Sequence, residues 1–312
     1  MIGIPPARWT WHRFVVGAVA VALLFPNSSV LEHRVVVAVF LFALATGRGR
    51  QFLRDWLPLT GAAALFVVLR QLAAGSPFPR QGPAVAALEA WLFGGVTPTA
   101  LLQSLRVHDA ARLADAVATA IHASYFFAFV VVGVALWLRA RRHFAAYSGT
   151  LMVTFALGLI GYVTLPTEPP WLVARATGAP PAVRVIVETT RGAPVASAVV
   201  EAGRSWQSDP DALGDPNPAA AMPSVHTAIT AALAFFLFRV GWQAGVAGVA
   251  YTGAMGLTLI YLGEHFALDV LAGIACAAVA TLVTSRVWRY VPVTRLSSSL
   301  YLARDRPPPW AP

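Results

Sequence analysis

The 312-residue chain contains no lysine, a single cysteine and few charged residues of any kind. Charged residues make up 12% of it, about half of their share in soluble globular domains. Hydrophobic residues make up 57%, and the mean hydropathy is +0.65. These values exclude a soluble globule and predict an all-α polytopic membrane protein. The one cysteine, Cys276, lies in an apolar run and excludes a disulfide or metal-thiolate framework.

The formal charge of +9 therefore comes from arginine alone. The arginines cluster between apolar runs and do not form the continuous basic patch that nucleic acids require, so no nucleic-acid partner is expected. Eight apolar runs have about the length that a bilayer needs: 9–25, 30–46, 56–74, 114–138, 145–165, 222–238, 243–262 and 265–285. The first could be a signal peptide or a signal anchor. The anchor is favoured, because no small-x-small cleavage site follows it.

The arginine clusters predict how the eight spans are oriented. Arginines near the N-terminus, in GRGRQFLRD (47–55), in RARRH (139–143), at Arg239 and in the tail fall on one side of the spans. By the positive-inside rule that side is cytoplasmic, together with both chain ends, in a multi-pass protein of the plasma membrane. The 166–221 connection would then be external. Before the fourth span, 101–117 (LLQSLRVHDAARLADAV) has the spacing of an interfacial amphipathic helix.

A Pro-Ser-x-His sequence opens the sixth apolar run, and His226 is the only ionisable side chain of the helix predicted there. Pro223 suits the first turn of a helix. The free N–H groups of Ser224 and its neighbours would point out of the helix end and could bind an anion. His122, in the fourth run, is a weaker candidate, because a lone histidine can equally bond a neighbouring helix carbonyl. Tyr125 is interpreted as a core residue.

A second motif, GEHFALDVLAG (263–273), begins the eighth run. It places His265 and Asp269 at positions i and i+4, on one face of a helix, where imidazole and carboxylate can form a hydrogen bond. Two histidines, one backed by a carboxylate, beside an anion site are what phosphoryl transfer through a phosphohistidine requires.

PSVH (223–226) and HFALDVLAG (265–273) resemble two motifs of the type 2 phosphatidic acid phosphatase superfamily. The resemblance covers residues 114–285 and implies a six-helix membrane core. It implies that His265 is the nucleophile, that Asp269 orients it and that His226 protonates the leaving oxygen. It implies neither a cofactor nor a metal.

The chain departs from that superfamily in its phosphate-binding residues. It has no Lys-x6-Arg-Pro motif, and Leu259 stands where an arginine precedes the nucleophile by six residues. Instead, 165–172 (LPTEPPWL) is similar to the Pro-x-x-Pro-Pro-Trp element of the inositol phosphorylceramide synthase branch, which implies a phosphotransferase from a bacterium. Pro170 and Trp171 would then contact substrate. Glu168 stands where a neutral residue is commoner and would repel a phosphate if it faced the site.

The external connection offers cationic partners for a phosphate. Arg175 is the first choice because it lies closest to the PTEPPW element, and the others are Arg184, Arg191 and Arg204. A connection of this length predicts a partly ordered lid. Asp209, Asp211 and Asp215 could suggest calcium, but they lack the glycine and closing glutamate of a calcium loop, and a solvated turn is the better interpretation.

The sequence thus predicts three parts: membrane spans and the amphipathic helix at 1–113, a catalytic core at 114–290 and a cytoplasmic tail at 291–312. The predicted activity moves a phosphoryl or phosphoinositol group from a membrane lipid phosphate to an alcohol or to water. The alternatives are a lipid phosphate phosphatase, a transporter or scramblase with a His/Asp proton relay, and a metallohydrolase using His226, His265 and Asp269. The sequence does not indicate an oligomeric state.

Overall fold

The computed structural model describes residues 47–106, 108–178 and 218–290, and the regular elements within these ranges are helices. In chain order they are α1 Gly49–Leu69, α2 Gly82–Leu92, α3 Pro98–Ser104, α4 His108–Arg139, α5 Arg141–Thr164, α6 Pro170–Thr177, α7 Val225–Leu237, α8 Trp242–Tyr261 and α9 Ala267–Tyr290. A 3-10 turn, Arg70–Gly75, follows α1. The predicted spans at 9–25 and 30–46 and the tail at 291–312 lie outside the described residues.

Five helical segments of the described chain have the length and apolar composition to cross a membrane. They are Gly49–Gly75, Leu113–Arg139, Arg141–Thr164, Trp242–Tyr261 and Ala267–Arg286. A sixth predicted span is observed as the shorter apolar helix α7. The predicted class, a polytopic all-α membrane bundle, is confirmed.

Helix α7 forms the centre of the bundle. It packs against α4, α5, α8 and α9, and ten of its thirteen residues are buried. A helix that is apolar on every side is expected inside a bundle rather than at its surface. The two histidine motifs consequently meet in the interior, because α7 and α9 are direct neighbours.

Contacts at the helix ends fix the helix directions. At one end, Asp55 near the start of α1 accepts hydrogen bonds from Trp137, at the end of α4, and from Arg141, at the start of α5. At the other end, Ser76, after α1, donates to the carbonyl of Val163, near the end of α5. Helices α1 and α5 therefore run parallel. The predicted connector 47–55 is itself mostly helical, because α1 already begins at Gly49.

The predicted amphipathic helix 101–117 is wrong as a single element. It is divided between α3, which ends at Ser104, and α4, which begins at His108. The predicted part boundary at 113/114 falls inside α4, a continuous helix of 32 residues. Asp115 binds Arg106 at 2.9 Å and also accepts a hydrogen bond from Tyr261. The polar face of this region thus packs against α8.

The two ends of the 166–221 connection lie side by side. Thr167 donates its N–H to the carbonyl of Ala219 at 3.0 Å and accepts one from Ala221 at 2.9 Å, which forms an isolated parallel bridge. Residues 179–217 lie outside the described residues. The predicted lid, the arginines at 184, 191 and 204 and the aspartates at 209, 211 and 215 therefore stay predictions.

Candidate active site

The PSVH motif is held in place by the start of α7 and by glycines of α5. Ser224 is the N-cap of α7, and its hydroxyl accepts a hydrogen bond from the N–H of Thr227 at 3.3 Å. Pro223 consequently lies before the cap and not, as predicted, in the first turn. A Cβ on Gly161 would lie 2.3 Å from Cδ of Pro223. Only glycine at this position of α5 permits so close an approach.

The PSVH motif is also bonded directly to the second motif. The N–H of Ser224 donates to the carbonyl of Asp269 at 2.9 Å. A Cβ on Gly273 would lie 2.3 Å from the carbonyl oxygen of Ser224, so α7 and α9 touch through their backbones. The N–H of Val225 faces the hydroxyl of Tyr162. The N–H of Ser224 is therefore not free to bind an anion, and its hydroxyl hydrogen is the group left for the predicted phosphate contact.

His265 and Asp269 are adjacent, but for a different reason from the one expected. Helix α9 begins at Ala267, so His265 lies in the preceding turn rather than on the helix. That turn passes through Gly263, whose φ of 78° favours glycine. Asp269, at the third helical position, accepts the N–H of Phe266 at 2.8 Å, which is one half of a capping box. Its Oδ2 lies 3.5 Å from Nδ1 of His265.

Four rings form a continuous cluster at this end of the bundle. The centroid of the His226 ring lies 5.6 Å from that of His265, 5.1 Å from that of His122 and 4.6 Å from that of Tyr125. The structure therefore brings His122 against His226, which in turn adjoins His265. Tyr125 packs against the hydrophobic core, as interpreted, and also against His226. The residue pattern of α4 did not predict the contact between Tyr125 and His226.

Glu89 is a site residue that the sequence did not indicate. It is fully buried on α2, and its Oε1 accepts the N–H of Leu268 in the first turn of α9 at 2.8 Å. A carboxylate there complements the positive end of the helix dipole and caps the helix that carries Asp269. Burial raises the pKa of Glu89 to about 7, and the charge of Asp269 acts in the same direction.

Glu168 is turned towards α2 and not towards the histidines. Its Oε2 accepts the N–H of Gly82 at 3.0 Å, at the start of α2, and its Oε1 lies 3.9 Å from Nε of Arg80. A Cβ on Gly82 would lie 2.6 Å from that Oε2. Glu168 therefore positions α2, and with it Glu89. This contact accounts for an acidic residue in the PTEPPW element.

The rest of the PTEPPW element forms α6 and adjoins the turn of His265. Pro170 is buried at the first position of α6, and the N–H of Trp171 donates to the carbonyl of Gly263 at 3.3 Å. Val173 packs against Phe266. Arg175 is exposed in the last turn of α6, where a cation complements the helix dipole. The assignments of Pro170, Trp171 and Arg175 to substrate binding stay predictions.

The comparisons with known proteins identify the family. A family model of the PAP2 superfamily matches residues 83–283. The chain belongs to the PAP2 superfamily. The match begins before the predicted limit of 114 and so includes α2, with Glu89. No curated protein and no solved structure matches the chain.

Membership in the PAP2 superfamily makes the chain a membrane-embedded enzyme of the lipid phosphatase or phosphotransferase type. In its residues 47–106, 108–178 and 218–290, no three histidine, cysteine or acidic side chains are grouped so that they could hold a metal ion. The chemistry open to this PAP2 protein is set by the paired histidines and the carboxylate behind one of them. A ring nitrogen of His265 can attack, while a ring nitrogen of His226 can move a proton.

Proposed function

We propose that this protein is a lipid phosphotransferase that acts through a phosphohistidine on His265. The donor is a lipid-linked phosphate or phosphoinositol, and the acceptor is an alcohol, with water as the competing acceptor. The observation that carries the proposal is the position of His265, between the carboxylate of Asp269 at 3.5 Å and the ring of His226 at 5.6 Å. The proposed geometry puts phosphorus at a near-attack distance of about 3–3.5 Å from a nitrogen of His265, with the leaving oxygen hydrogen-bonded to His226.

The two nitrogens of His265 have different tasks. Nδ1 lies 3.5 Å from Oδ2 of Asp269 and makes no hydrogen bond within the described part of the chain. When the contact tightens around a bound substrate, Asp269 holds the neutral tautomer with its hydrogen on Nδ1. Nε2 then carries the lone pair that attacks phosphorus. As the N–P bond forms, the P–O bond to the lipid breaks, and the departing oxygen takes a proton from His226. In the second half the acceptor oxygen attacks phosphorus, loses its proton to His226 and releases His265.

The PTEPPW element supports transfer over hydrolysis. The Trp171–Gly263 hydrogen bond places α6 directly beside the turn that carries the nucleophile. A wall at that position can exclude water and orient a second hydroxyl. Water at about 55 M is outcompeted by an oriented hydroxyl whose effective molarity reaches even ~10³ M, below the roughly 10⁵–10⁸ M known for such reactions.

In the experiment, purified protein is incubated with labelled phosphatidylinositol or labelled polyprenyl phosphate, together with lipid and sugar alcohols. The label is then followed into the products. We expect label in the acceptor, and no turnover in His265→Ala, while Asp269→Asn is severely slowed because the tautomer is no longer held. His143→Ala is the matched control. His143 lies at the start of α5, at the end away from the PSVH motif, and its ring contacts Phe236.

Two results would favour an alternative function over phosphotransfer. If free inorganic or inositol phosphate is the only labelled product with every acceptor, the protein is a lipid phosphate phosphatase. Full loss of activity in chelator, with recovery on zinc addition, would contradict the phosphohistidine and favour a metallohydrolase.

We further propose that the site faces the outer side of the plasma membrane, on the strength of the arginine distribution. Cysteine labelling on a Cys276→Ser background tests this orientation. Labelling of positions 175–178 only after the cytoplasmic side is opened would contradict it.

A further inference from the structure

A phosphoryl group at the histidine pair needs positive charge, and two of the N–H groups at the start of α7 already have partners within the protein. The N–H of Ser224 is bonded to Asp269, and the N–H of Thr227 is bonded to the Ser224 hydroxyl. The N–H of Val225 faces Tyr162. Since two of these N–H groups are already bonded, we expect a side-chain cation to balance much of the negative charge of a bound phosphate.

Arg70 is a partly buried arginine at the same end of the bundle. It begins the 3-10 turn that follows α1, and this turn packs against α5. Its Nε is buried and has no hydrogen-bond partner among the described residues. Leaving a guanidinium N–H buried and unbonded is costly, so an arginine in this state indicates a partner that arrives from outside the protein.

The surroundings of Arg70 place its charge at the histidine pair. It is close enough to act electrostatically on both His226 and Tyr162. Tyr162 is buried on α5, with its hydroxyl turned to the N–H of Val225. The guanidinium of Arg70 thus lies within electrostatic reach of Tyr162, which adjoins the first turn of α7, and of His226. A phosphate bound at the histidine pair would feel the charge of this guanidinium.

We propose that Arg70 binds the phosphate oxygens of the donor lipid at the histidine pair. The proposal rests on the proposed phosphotransferase function and names the cation that this function requires. A planar guanidinium can hold two equatorial phosphate oxygens at once. Arg70 lies outside residues 83–283, which match the family model. The phosphate-binding cation would therefore come from the segment at the end of α1, which precedes the matched residues.

The test compares Arg70→Gln with wild type, with Arg54→Gln as the matched control. Arg54 is exposed and lies near the start of α1, at the end of that helix away from Arg70. Orthovanadate and inorganic phosphate are the probes, as inhibitors of turnover and as ligands that raise the melting temperature. Loss of charge-assisted hydrogen bonds should raise both inhibition constants roughly 10- to 100-fold in Arg70→Gln. Arg54→Gln should stay within about twofold of wild type.

A second variant separates binding from folding. Arg70→Lys keeps the charge but not the fork of donors, and we expect it to recover part of the vanadate affinity and of the shift in melting temperature. Equal inhibition of wild type and Arg70→Gln by vanadate would overturn the inference. A wild-type protein that neither turns over lipid phosphates nor binds vanadate would overturn the proposed function instead.

Discussion

The carboxyl of Glu89 should make the stability of this protein depend on pH. Glu89 is fully buried on α2, which is not among the spanning helices, and its Oε2 has no hydrogen-bond partner within the described ranges. Burial raises its pKa from 4.5 to about 7. The folded state therefore holds this proton more tightly than the unfolded state. The resulting penalty is absent below pH 4.5, grows as the pH rises to about 7 and is then constant.

The size of the effect follows from the two pKa values. A shift of one pKa unit corresponds to about 1.4 kcal/mol. Between pH 5 and pH 8, wild-type protein should lose on the order of 2–3 kcal/mol of its free energy of unfolding through this one group. Glu89→Gln cannot ionise, and its amide oxygen can still accept the N–H of Leu268, so the variant should not show this loss.

The assay is thermal unfolding of the detergent-solubilised protein at a series of pH values. The difference in Tm between Glu89→Gln and wild type should grow by roughly 5 °C between pH 5 and pH 8. Glu168→Gln is the matched control, because it removes a carboxylate that contacts the same helix from a partly exposed position. If Tm depends on pH in the same way in wild type and in Glu89→Gln, the carboxyl of Glu89 is hydrated or paired in the folded state, and the reasoning is refuted.

Two further predictions concern the histidine pair. His226→Ala should lose far less activity on an activated aryl phosphate, whose leaving group departs without a proton, than on a lipid phosphate. The two losses should differ by roughly the 10²–10⁴-fold that a general acid contributes. Equal losses on both substrates would remove His226 from the acid role. Gly273→Ala should abolish most activity and lower Tm, because its Cβ would lie 2.3 Å from the backbone oxygen of Ser224 and force α7 and α9 apart at a cost of about 1–3 kcal/mol. Gly253→Ala, in open space on α8, is the control for helix propensity and should be neutral or slightly stabilising; equal effects of the two alanines would contradict the close contact.

The sequence was most informative where chemistry depends on residues close together in the chain. His265 and Asp269 are four residues apart, and any tight turn that enters a helix brings them near each other. Their adjacency was therefore predicted correctly, even though His265 lies in the turn rather than on α9. The N–H of Ser224, one of the groups expected to bind an anion, is instead bonded to the carbonyl of Asp269, which is distant in the chain and could not be foreseen from local spacing.

The residues that support the site could not be found from spacing. Glu89 and Leu268 are 179 residues apart, and nothing in the local pattern of α2 marks its carboxyl as a cap for α9. Arg70 lies in the last part of the predicted span 56–74, where an arginine is expected simply to reach the membrane interface. Asp115 lies inside the fourth predicted span, and its pairing with Arg106 and Tyr261 became evident only when α4 was placed against α8.

The amino-acid sequence by itself determined the membrane class, the helical bundle and the pair of motifs, because hydropathy, helix length and short-range spacing are properties of contiguous residues. Only the tertiary structure decided that His122, His226 and His265 form one cluster. It alone turned Glu168 away from the site, and it alone placed Glu89 and Arg70 beside the site. Each of these contacts joins segments tens of residues or more apart, and their packing depends on close approaches such as that of Gly273 to Ser224. A linear pattern carries no information on which helix faces meet.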